Sequence, residues 1–306
     1  MKKKKENLKR FHSISEIHQA FGMPKPRHPL ISLTHFDQSN PFNPEKAPVY
    51  DVMEFYKIAF TTASGGRMKY GQNYYDFNEG SMIFIAPDQL FGNSEEGDEN
   101  SSYILLILPD FLLGYPLAKK IKQYGYFSYS VSEALHLSDD EKQIIISVYR
   151  IMELELNSRM DEFSQEVIIG QIELLLSYAN RFYKRQFLTR KILNNDLLEK
   201  LEEILDHHYR IDESPIQGIP TVQSIADKLN ISPSYLSDML RSITGQNTRQ
   251  HIHNKLIEKA KELLSATNLT IGEVAYQLGF EHSQSFSKLF RTKTNMSPIE
   301  FRKSFK

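Results

Sequence analysis

Histidine and cysteine are the side chains that most often hold metals or act as nucleophiles, so their pattern limits the chemistry open to this chain. The 306 residues contain no cysteine, which excludes disulfides, thiolate catalysis and cysteine-based metal sites. Ten histidines are present. They occur as two close pairs and six single residues: His207 with His208, His251 with His253, and His12, His18, His28, His35, His136 and His282.

None of these histidines has a Glu or a third His at the spacing of a metal site. His251 and His253 lie two residues apart on a predicted helix, so they cannot share a face. The glycines at 65, 66 and 71 are too sparse for a phosphate-binding loop. The sequence therefore predicts no metal, no cofactor and no catalytic residue, and it favours a binding protein over an enzyme.

A repeat of about fifty residues near the C-terminus favours a different chemistry. Eight positions of the first copy match eight of the second, with one extra residue in the second turn. The first copy has Ile225, Ala226, Leu229, Asn230, Ile231, Leu236, Met239 and Leu240, and the second has Val274, Ala275, Leu278, Gly279, Phe280, Phe286, Leu289 and Phe290.

Each copy has the signals of two helices joined by a tight turn. The small alanine lets a second helix cross closely, and Asn230 or Gly279 suits the left-handed conformation that ends a helix. In the first copy Ser232 is a predicted N-cap and Pro233 the first helical residue. The pattern predicts helix-turn-helix units at about 221–245 and 270–295.

The second helix of each unit has polar residues on the face opposite its apolar residues. Gln can bond adenine through two atoms, Lys can reach guanine, and Asp can accept from cytosine. We expect these outward residues to read DNA bases, the alternative being a solvated surface. They are Ser234, Ser237, Asp238 and Arg241 in the first unit, and Ser283, Gln284, Ser287 and Lys288 in the second.

A third set of residues, near helix ends and loops, is expected to contact DNA phosphates. It comprises Thr248, Arg249, Arg291, Lys293, Ser297 and Arg302. The two units are joined by a predicted helix from Thr248 to Ser265. A helix of that length spans about 27 Å, which together with the units themselves suits two major-groove segments separated by one DNA turn of about 34 Å.

Charge is segregated along the chain. The total is −1, but residues 241–306 contain 11 Lys and Arg against 5 Asp and Glu, so residues 1–240 are acidic. The near-neutral total is therefore compatible with a basic DNA-binding end. The run Lys2–Lys5 is predicted to be a solvated tail, the alternative being an arm that contacts DNA phosphates.

The N-terminal part has a different composition. Between Leu30 and Leu108, short aromatic and β-branched runs alternate with turn residues, which predicts a small β-barrel or sandwich. Two amphipathic helices are predicted after Ser138 and Ser164. They either fold back on the barrel or pair with a second subunit. A polar linker at Thr189–Asn195 then divides the chain into domains 1–190 and 191–306.

The C-terminal motifs resemble those of AraC/XylS-type transcriptional regulators, and the resemblance covers about a hundred residues from Thr221. Asn295 stands where the family usually has Gly, and Leu256 stands where it often has Arg. The most specific matching residues are Ala275, Leu278, Gly279, Phe280, Phe286, Ser287, Phe290, Arg291, Ser297, Pro298, Phe301 and Arg302. The segment NEGSMIFIAPDQLFG loosely resembles the cupin-like effector domain of the same family.

This resemblance implies a multidomain fold: an N-terminal all-β cupin-like barrel with two appended helices, and a C-terminal all-α domain with two helix-turn-helix units. It implies a dimeric, cytoplasmic, sequence-specific transcription regulator that binds double-stranded DNA and, as an activator, RNA polymerase. A small-molecule effector is expected in the β domain. Tyr56, Arg67, Tyr74, Tyr75 and Phe84 are the candidates to contact it, the alternative for each being core packing, surface or a cross-strand pair.

Two alternatives stay open from the sequence. One is a ligand-independent regulator whose β domain serves assembly or a protein partner. The other is a metal-dependent cupin enzyme with an appended DNA-binding domain, although no His-x-His pair occurs between Leu30 and Leu108. The longest apolar run, Tyr103–Leu113, is interrupted by Pro109 and Asp110, so no membrane span is predicted.

Overall fold

A computed structural model describes residues 8–36, 50–61, 67–70, 73–76, 80–92, 102–130, 133–189, 191–209 and 218–305. The Lys2–Lys5 run lies outside these residues. The chain forms two compact units, Met1–Gln186 (unit 1) and Phe187–Lys306 (unit 2).

Unit 1 is built around a five-stranded antiparallel sheet. Its strand order is β10-β7-β4-β9-β2, which places β2 at one edge. The strands are β2 (Ile31–Phe36), β4 (Tyr56–Thr61), β7 (Ser81–Ile85), β9 (Ser102–Ile107) and β10 (Leu135–His136).

Two smaller sheets complete the described strands. In the first, β3 (Tyr50–Met53) pairs in parallel with β1 (Leu8–Phe11) and antiparallel with β8 (Leu90–Gly92). The second is an antiparallel pair of β5 (Arg67–Tyr70) and β6 (Asn73–Asp76). The N-terminal half thus contains sheets, as predicted, while closure into a cupin-like barrel stays a prediction.

The two faces of the five-stranded sheet are both covered, because alternate residues of each strand point to opposite faces. On one face, Ile83, Ile85 and Leu106 pack with Phe11 and Phe55. The helix α1 (Ile14–Phe21) contributes to this cluster, and it begins at the N-cap Ser13.

The other sheet face is covered by two long helices. They are α3 (Asp139–Asn157), which begins at the predicted N-cap Ser138, and α4 (Ser164–Thr189). Tyr149 of α3 stacks on Tyr103 at 5.0 Å between ring centroids. Tyr183 of α4 packs on Phe84 at 6.2 Å. The inward apolar faces of both helices therefore fold back on the sheet, one of the two predicted arrangements. A short helix, α2 (Leu117–Lys120), precedes them.

Residues 189–195, predicted to be a linker, are helical wherever the structure describes them. α4 ends at Thr189, and α5 (Lys191–His208) begins two residues later. The polar composition predicts an exposed linker, but Asn194 is buried, and its side-chain nitrogen donates to the Phe187 carbonyl. A polar residue here thus serves packing instead of an extended connection.

The regular secondary structure in the described residues of unit 2 is all helical. After α5 its helices are α6 (Val222–Leu229), α7 (Pro233–Thr244), α8 (Thr248–Ala266), α9 (Ile271–Gln277), α10 (Ser283–Thr294) and α11 (Pro298–Lys303). The connecting helix α8 matches the predicted span to within one residue. None of the helices in the described part of the chain has the length and apolar composition that a bilayer-spanning segment requires.

Candidate nucleic-acid interface

The turns between α6 and α7 and between α9 and α10 have equivalent backbone geometry. The N–H of Ile231 donates to the Ala226 carbonyl at 3.1 Å, and the N–H of Phe280 donates to the Ala275 carbonyl at 3.0 Å. Asn230 has φ 55° and Gly279 has φ 86°, so both occupy the left-handed region as predicted. The local sequence therefore positions α7 and α10 by the same device.

The repeated apolar framework forms the interior of unit 2. Leu236, Met239 and Leu240 are fully buried in α7, and Phe286 and Phe290 are fully buried in α10. Because an amphipathic helix directs its opposite face outward, the polar positions of both helices are directed away from this core.

The outward residues of α7, the second helix of the first helix-turn-helix unit, already have partners. Arg241 is exposed, and its guanidinium lies 3.0 Å from the Asp238 carboxylate. The half-buried Ser237 shares a hydrogen bond of 3.0 Å with the Thr248 hydroxyl. Ser234 is half-buried at the start of the helix. The structure therefore places all four predicted base-reading residues on α7, with three of them engaged within the chain.

The outward side chains of α10, the second helix of the second helix-turn-helix unit, have fewer partners within the chain than those of α7. Gln284 and Lys288 are exposed, and Ser283 and Ser287 are half-buried. Among the described residues, none forms a side-chain hydrogen bond or an ion pair with Gln284 or Lys288. These two side chains keep their full hydrogen-bonding capacity for an external partner.

Two of the predicted phosphate contacts have structural roles. Thr248 is fully buried, and its hydroxyl joins α8 to Ser237 of α7. Arg302 donates from Nε to the Leu264 carbonyl at 3.3 Å, near the C-terminal end of α8. The spacing of residues in the sequence does not predict the burial of Thr248 or the hydrogen bond of Arg302, because each contact depends on how two helices cross.

Ser297 is the N-cap of α11 and is also engaged. The Glu300 N–H donates to its hydroxyl at 3.2 Å, while the Glu300 carboxylate accepts from the Ser297 N–H at 2.7 Å. These two hydrogen bonds, the backbone one first, lower the pKa of the Glu300 carboxyl. The Ser297 hydroxyl thus stabilises the helix start.

The remaining predicted phosphate contacts are exposed cations. Arg291 lies in the last turn of α10. Arg249 of α8 and Lys293 of α10 lie near enough to His253 of α8 for their charges to act on its ring. Burial lowers the pKa of His253, and the positive charges of Lys293 and Arg249 lower it further. We call Arg249, His253 and Lys293 the basic cluster; one signal for His253 was its position one helical turn after Arg249.

Leu256, which stands where the family often has Arg, is fully buried in the core of unit 2. Asn295, which stands where the family usually has Gly, ends α10 with φ 60°. The first departure removes a charge from the interior, and the second keeps the left-handed helix end.

The predicted effector residues are not brought together in a described cavity. Tyr56 and Phe84 are buried on the helix-covered face of the sheet, where Phe127 lies 5.1 Å and 5.5 Å from their respective rings. Arg67, Tyr74 and Tyr75 lie on β5 and β6, whose side chains are outside the described part of the structure. Within the described residues, no three His, Asp or Glu side chains are grouped as metal ligands.

A comparison with protein families matches residues 225–304 to a helix-turn-helix domain. This range contains the second helix-turn-helix unit and nearly all of the first. The chain carries an AraC-type helix-turn-helix domain at its C-terminus.

The relatives that this chain matches are HTH-type transcriptional regulators. The uncharacterized regulator YfiF of Bacillus subtilis is 23% identical over 82% of this chain and 78% of its own length. The Msm operon regulatory protein of Streptococcus mutans is 37% identical over 27% of this chain and 30% of its own. YijO of Escherichia coli is 31% identical over 43% and 44%. The chain thus spans less than half the length of the latter two.

Two solved structures are similar to the AraC-type domain. The C-terminal domain of AraT, a response regulator from Geobacillus stearothermophilus, has 30% identity, covers 35% of this chain and 84% of that one, and gives a TM-score of 0.31. The DNA-binding domain of AdpA in complex with a target DNA has 23% identity, covers 36% and 91%, and gives a TM-score of 0.31.

Proposed function

We propose that this protein is a sequence-specific DNA-binding transcription regulator of AraC type. The observation that carries the proposal is the repeated geometry of unit 2. Two equivalent turns each follow a helix that ends in a left-handed residue, and each leads into a helix with a buried apolar face and an outward polar face. The 19-residue α8 joins them and spans about 28 Å at 1.5 Å per residue.

Base reading is assigned to the outward residues of α7 and α10. Gln284 and Lys288 have the chemistry to contact adenine and guanine, respectively, in the major groove. Ser283 and Ser287 lie on the same helix and supply shorter contacts. On α7, Asp238 and Arg241 must exchange their mutual ion pair for contacts to DNA, while Ser234 and Ser237 lie nearer the helix start.

Phosphate binding is assigned to Arg249, Arg291 and Lys293, which are exposed cations near helix ends. Two of them, Arg249 and Lys293, lie near His253. Because DNA phosphates attract such charges without regard to sequence, these residues would set affinity and register while the base-reading residues set specificity.

The N-terminal unit is assigned the role of a cupin-like sensor and dimerisation domain, with residues 1–190 and 191–306 as the functional domains. Its long helices keep exposed apolar side chains beside their buried faces, including Leu154, which is 72% exposed, and Leu174. These outward residues support pairing with a second copy. An effector-controlled regulator, which as an activator would also bind RNA polymerase, is the function that this arrangement favours.

The DNA assignment is tested by selecting sequences from a random duplex library with the full chain. Binding of the selected site and its single-base variants is then measured by fluorescence anisotropy. Lys288→Ala should lose about tenfold affinity or more at one base position and relax specificity there. Arg291→Ala should weaken all sites by the same factor and reduce the salt dependence.

Lys119→Ala, which removes an exposed lysine of unit 1, is the matched control and should leave binding unchanged. An equal factor for Lys288→Ala and Arg291→Ala at every site would contradict the division between base and phosphate contacts. Failure of the full chain to enrich any sequence would contradict the proposed function itself.

Effector control is tested by thermal unfolding of the full chain against a panel of metabolites. A ligand at 100 times its dissociation constant adds about 2.7 kcal/mol to the free energy of unfolding. A stabilising metabolite that also changes DNA affinity supports the sensor role. A chain that binds its DNA equally well with every metabolite would favour the ligand-independent alternative.

A further inference from the structure

A cleft in unit 1 is lined by none of the residues that the sequence predicts to bind an effector. It is formed by the segment 24–28, the edge strand β2 and the C-terminal half of α3, and it encloses about 230 Å³. Its wall includes six ionisable side chains: His18, Lys25, Arg27, His28, His35 and Glu153. Five of these six carry or can carry a positive charge, and one is a carboxylate.

His18 fixes one wall of the cleft. Its Nδ1 lies 2.5 Å from the Pro24 carbonyl, and its Nε2 lies 2.7 Å from the Ser32 hydroxyl. A carbonyl oxygen only accepts, so Nδ1 holds the proton and donates, and the serine hydroxyl donates to Nε2. Burial lowers the pKa of His18, which favours this neutral form. The ring therefore ties the segment 24–28 to β2.

Arg27 joins the cleft to the end of α3. Its Nη1 donates to the carbonyl of Asn157, the last residue of that helix, at 2.8 Å. This contact uses one of the five guanidinium donors. Lys25 and Arg27 are both exposed and both line the cleft. Among the described residues, no carboxylate forms an ion pair with either of them.

His28 supplies a further donor. The Leu30 N–H donates to Nδ1 of His28 at 3.1 Å, so the proton of the neutral ring lies on Nε2. The ring is held edge-on to Phe111 at 5.5 Å between centroids. No described residue accepts a hydrogen bond from this Nε2. The cleft thus combines two cations without a carboxylate partner and an imidazole donor whose orientation is fixed.

We propose that this cleft binds a small oxyanion, namely a metabolite carrying a carboxylate or phosphate group. A carboxylate or phosphate accepts two parallel hydrogen bonds from an arginine, and Lys25 and His28 supply further donors. The volume lies below the roughly 300–1,000 Å³ of pockets for drug-sized ligands, so the ligand is small. Glu153 supplies the carboxylate that would select a ligand with a hydroxyl or amino group beside its acidic group.

The ligand would fasten α3 to β2. Arg27 already contacts the last carbonyl of α3, and His35, which lines the cleft, stacks on Tyr103 at 4.1 Å. Tyr103 in turn stacks on Tyr149 of α3. An anion held between these groups therefore bridges the sheet edge and the helix. Naming this ligand as the effector rests on the proposed function; the binding site itself does not.

The test uses the full chain with isotopically labelled histidine side chains. Inorganic phosphate and succinate are the probes, titrated at constant pH and ionic strength with chloride as the replaced ion. Saturable shifts of the His18, His28 and His35 signals are expected from at least one probe. Lys25→Gln with Arg27→Gln should weaken binding by about tenfold or more, the size of the loss of one charge-assisted hydrogen bond.

The matched control is Lys119→Gln with Lys120→Gln, which removes two exposed lysines from α2 in the same unit and should leave binding unchanged. Because Arg27 also holds α3, Lys25→Gln alone is the second variant: it keeps the Asn157 contact and should still weaken binding. Absence of saturable shifts with both probes, or equal losses in the cleft and control variants, would overturn the proposal.

The same samples are tested for DNA binding. Phosphate or succinate binding without any DNA binding would leave the cleft standing and remove the proposed function. DNA binding without a saturable response at the cleft would leave the proposed function standing and remove the cleft.

Discussion

The two helix-turn-helix units share a framework but hold their turns and outward helices differently. In the first turn, Asn230 has the left-handed conformation. Ser232 is the N-cap of α7, and its hydroxyl accepts from the Tyr235 N–H at 3.2 Å. The second turn uses Gly279, and the N-cap of α10, His282, makes no side-chain cap.

The second turn has the same local backbone hydrogen bond as the first but no side-chain cap, and a distant backbone packs closely against it. A Cβ added to Gly279 would lie 2.5 Å from the carbonyl carbon of Gly218, a residue on the segment before α6. His208 in turn contacts the Gly218 carbonyl at 3.0 Å. The outward helix of the first helix-turn-helix unit therefore has a local side-chain cap, whereas in the second unit a distant backbone leaves no room for a side chain at the turn.

The outward faces of α7 and α10 differ in how many of their polar side chains have partners within the chain. On α7 the side chains of Ser237, Asp238 and Arg241 have partners within the chain. On α10 Gln284 and Lys288 have none among the described residues. The second helix-turn-helix unit, whose turn packs against a distant backbone, thus has polar side chains that are free of internal contacts among the described residues. The first helix-turn-helix unit must exchange its internal side-chain contacts before it can bind an external partner.

The largest expected effect comes from breaking the Gly279 contact. Gly279→Ala adds a Cβ that overlaps the Gly218 backbone and also strains a φ of 86°. The free energy of unfolding of unit 2 should fall by about 3 kcal/mol or more, since neither backbone can yield cheaply. Urea unfolding followed by far-UV circular dichroism measures this.

Two controls make that result specific to the turn. Gly272→Ala, within α9, brings its Cβ no closer than 3.9 Å to the Thr270 hydroxyl and should stabilise the helix by about 0.5–1 kcal/mol. Asn230→Gly should change stability by only a few tenths of a kcal/mol, roughly, because glycine suits the same conformation. Equal stability of the Gly279→Ala and Gly272→Ala proteins would refute the difference between the two turns.

The next effect compares the two outward faces. Gln284→Ala should cost about 1–3 kcal/mol in binding to the selected DNA site and lose discrimination at one base pair. Asp238→Ala should cost less, because its carboxylate is already paired and its removal releases Arg241 for phosphate or guanine. Anisotropy titrations over the single-base variants measure both, and a larger loss for Asp238→Ala would reverse the assigned order.

A smaller effect is expected from the helix caps. Ser232→Ala removes the hydrogen bond to the Tyr235 N–H and should destabilise unit 2 by about 1 kcal/mol. His282→Ala should have little effect, since this side chain makes no cap, whereas His282→Ser should add stability by supplying one. The three thermal unfolding curves decide the matter, and identical losses for both alanine variants would show that the caps are alike.

The difference between the two units also explains what the sequence could predict. Asn230, Gly279 and Ser232 act through their own backbone neighbours, so their roles follow from residue type and spacing. The Gly279–Gly218 contact joins residues far apart in sequence and leaves no local signal. Thr248, predicted to contact phosphate, is buried for a similar reason, because the crossing of α7 and α8 decides its exposure.

The β unit shows the same limit. Tyr56 and Phe84 are predicted effector contacts because they are aromatic residues on predicted strands. Strand periodicity does not show which face of the sheet the long helices cover. Both side chains pack on Phe127, and Phe84 also packs on Tyr183 of α4. The cleft that carries the ligand proposal joins a loop, an edge strand and a helix end, and only the packed chain brings these together.

The smallest expected effect concerns the basic cluster on α8 and α10 of unit 2. His253 has a lowered pKa in the free protein because of burial and the nearby charges of Lys293 and Arg249. A DNA phosphate bound at these cations would raise that pKa, so the protonated form binds DNA more tightly. Affinity should therefore rise as pH falls from about 8 to 6, by roughly threefold.

His253→Gln should remove most of this pH dependence while changing affinity little at about pH 8, where the wild-type ring is neutral. The control is His251→Gln: His251 also has a pKa lowered by burial, but it contacts the Thr244 hydroxyl and lies near Glu202, a negative charge instead of a cation. Its pH profile should resemble that of the wild type. If His251→Gln flattens the profile and His253→Gln does not, phosphate binding belongs beside α7 and not in the basic cluster that joins α8 to α10.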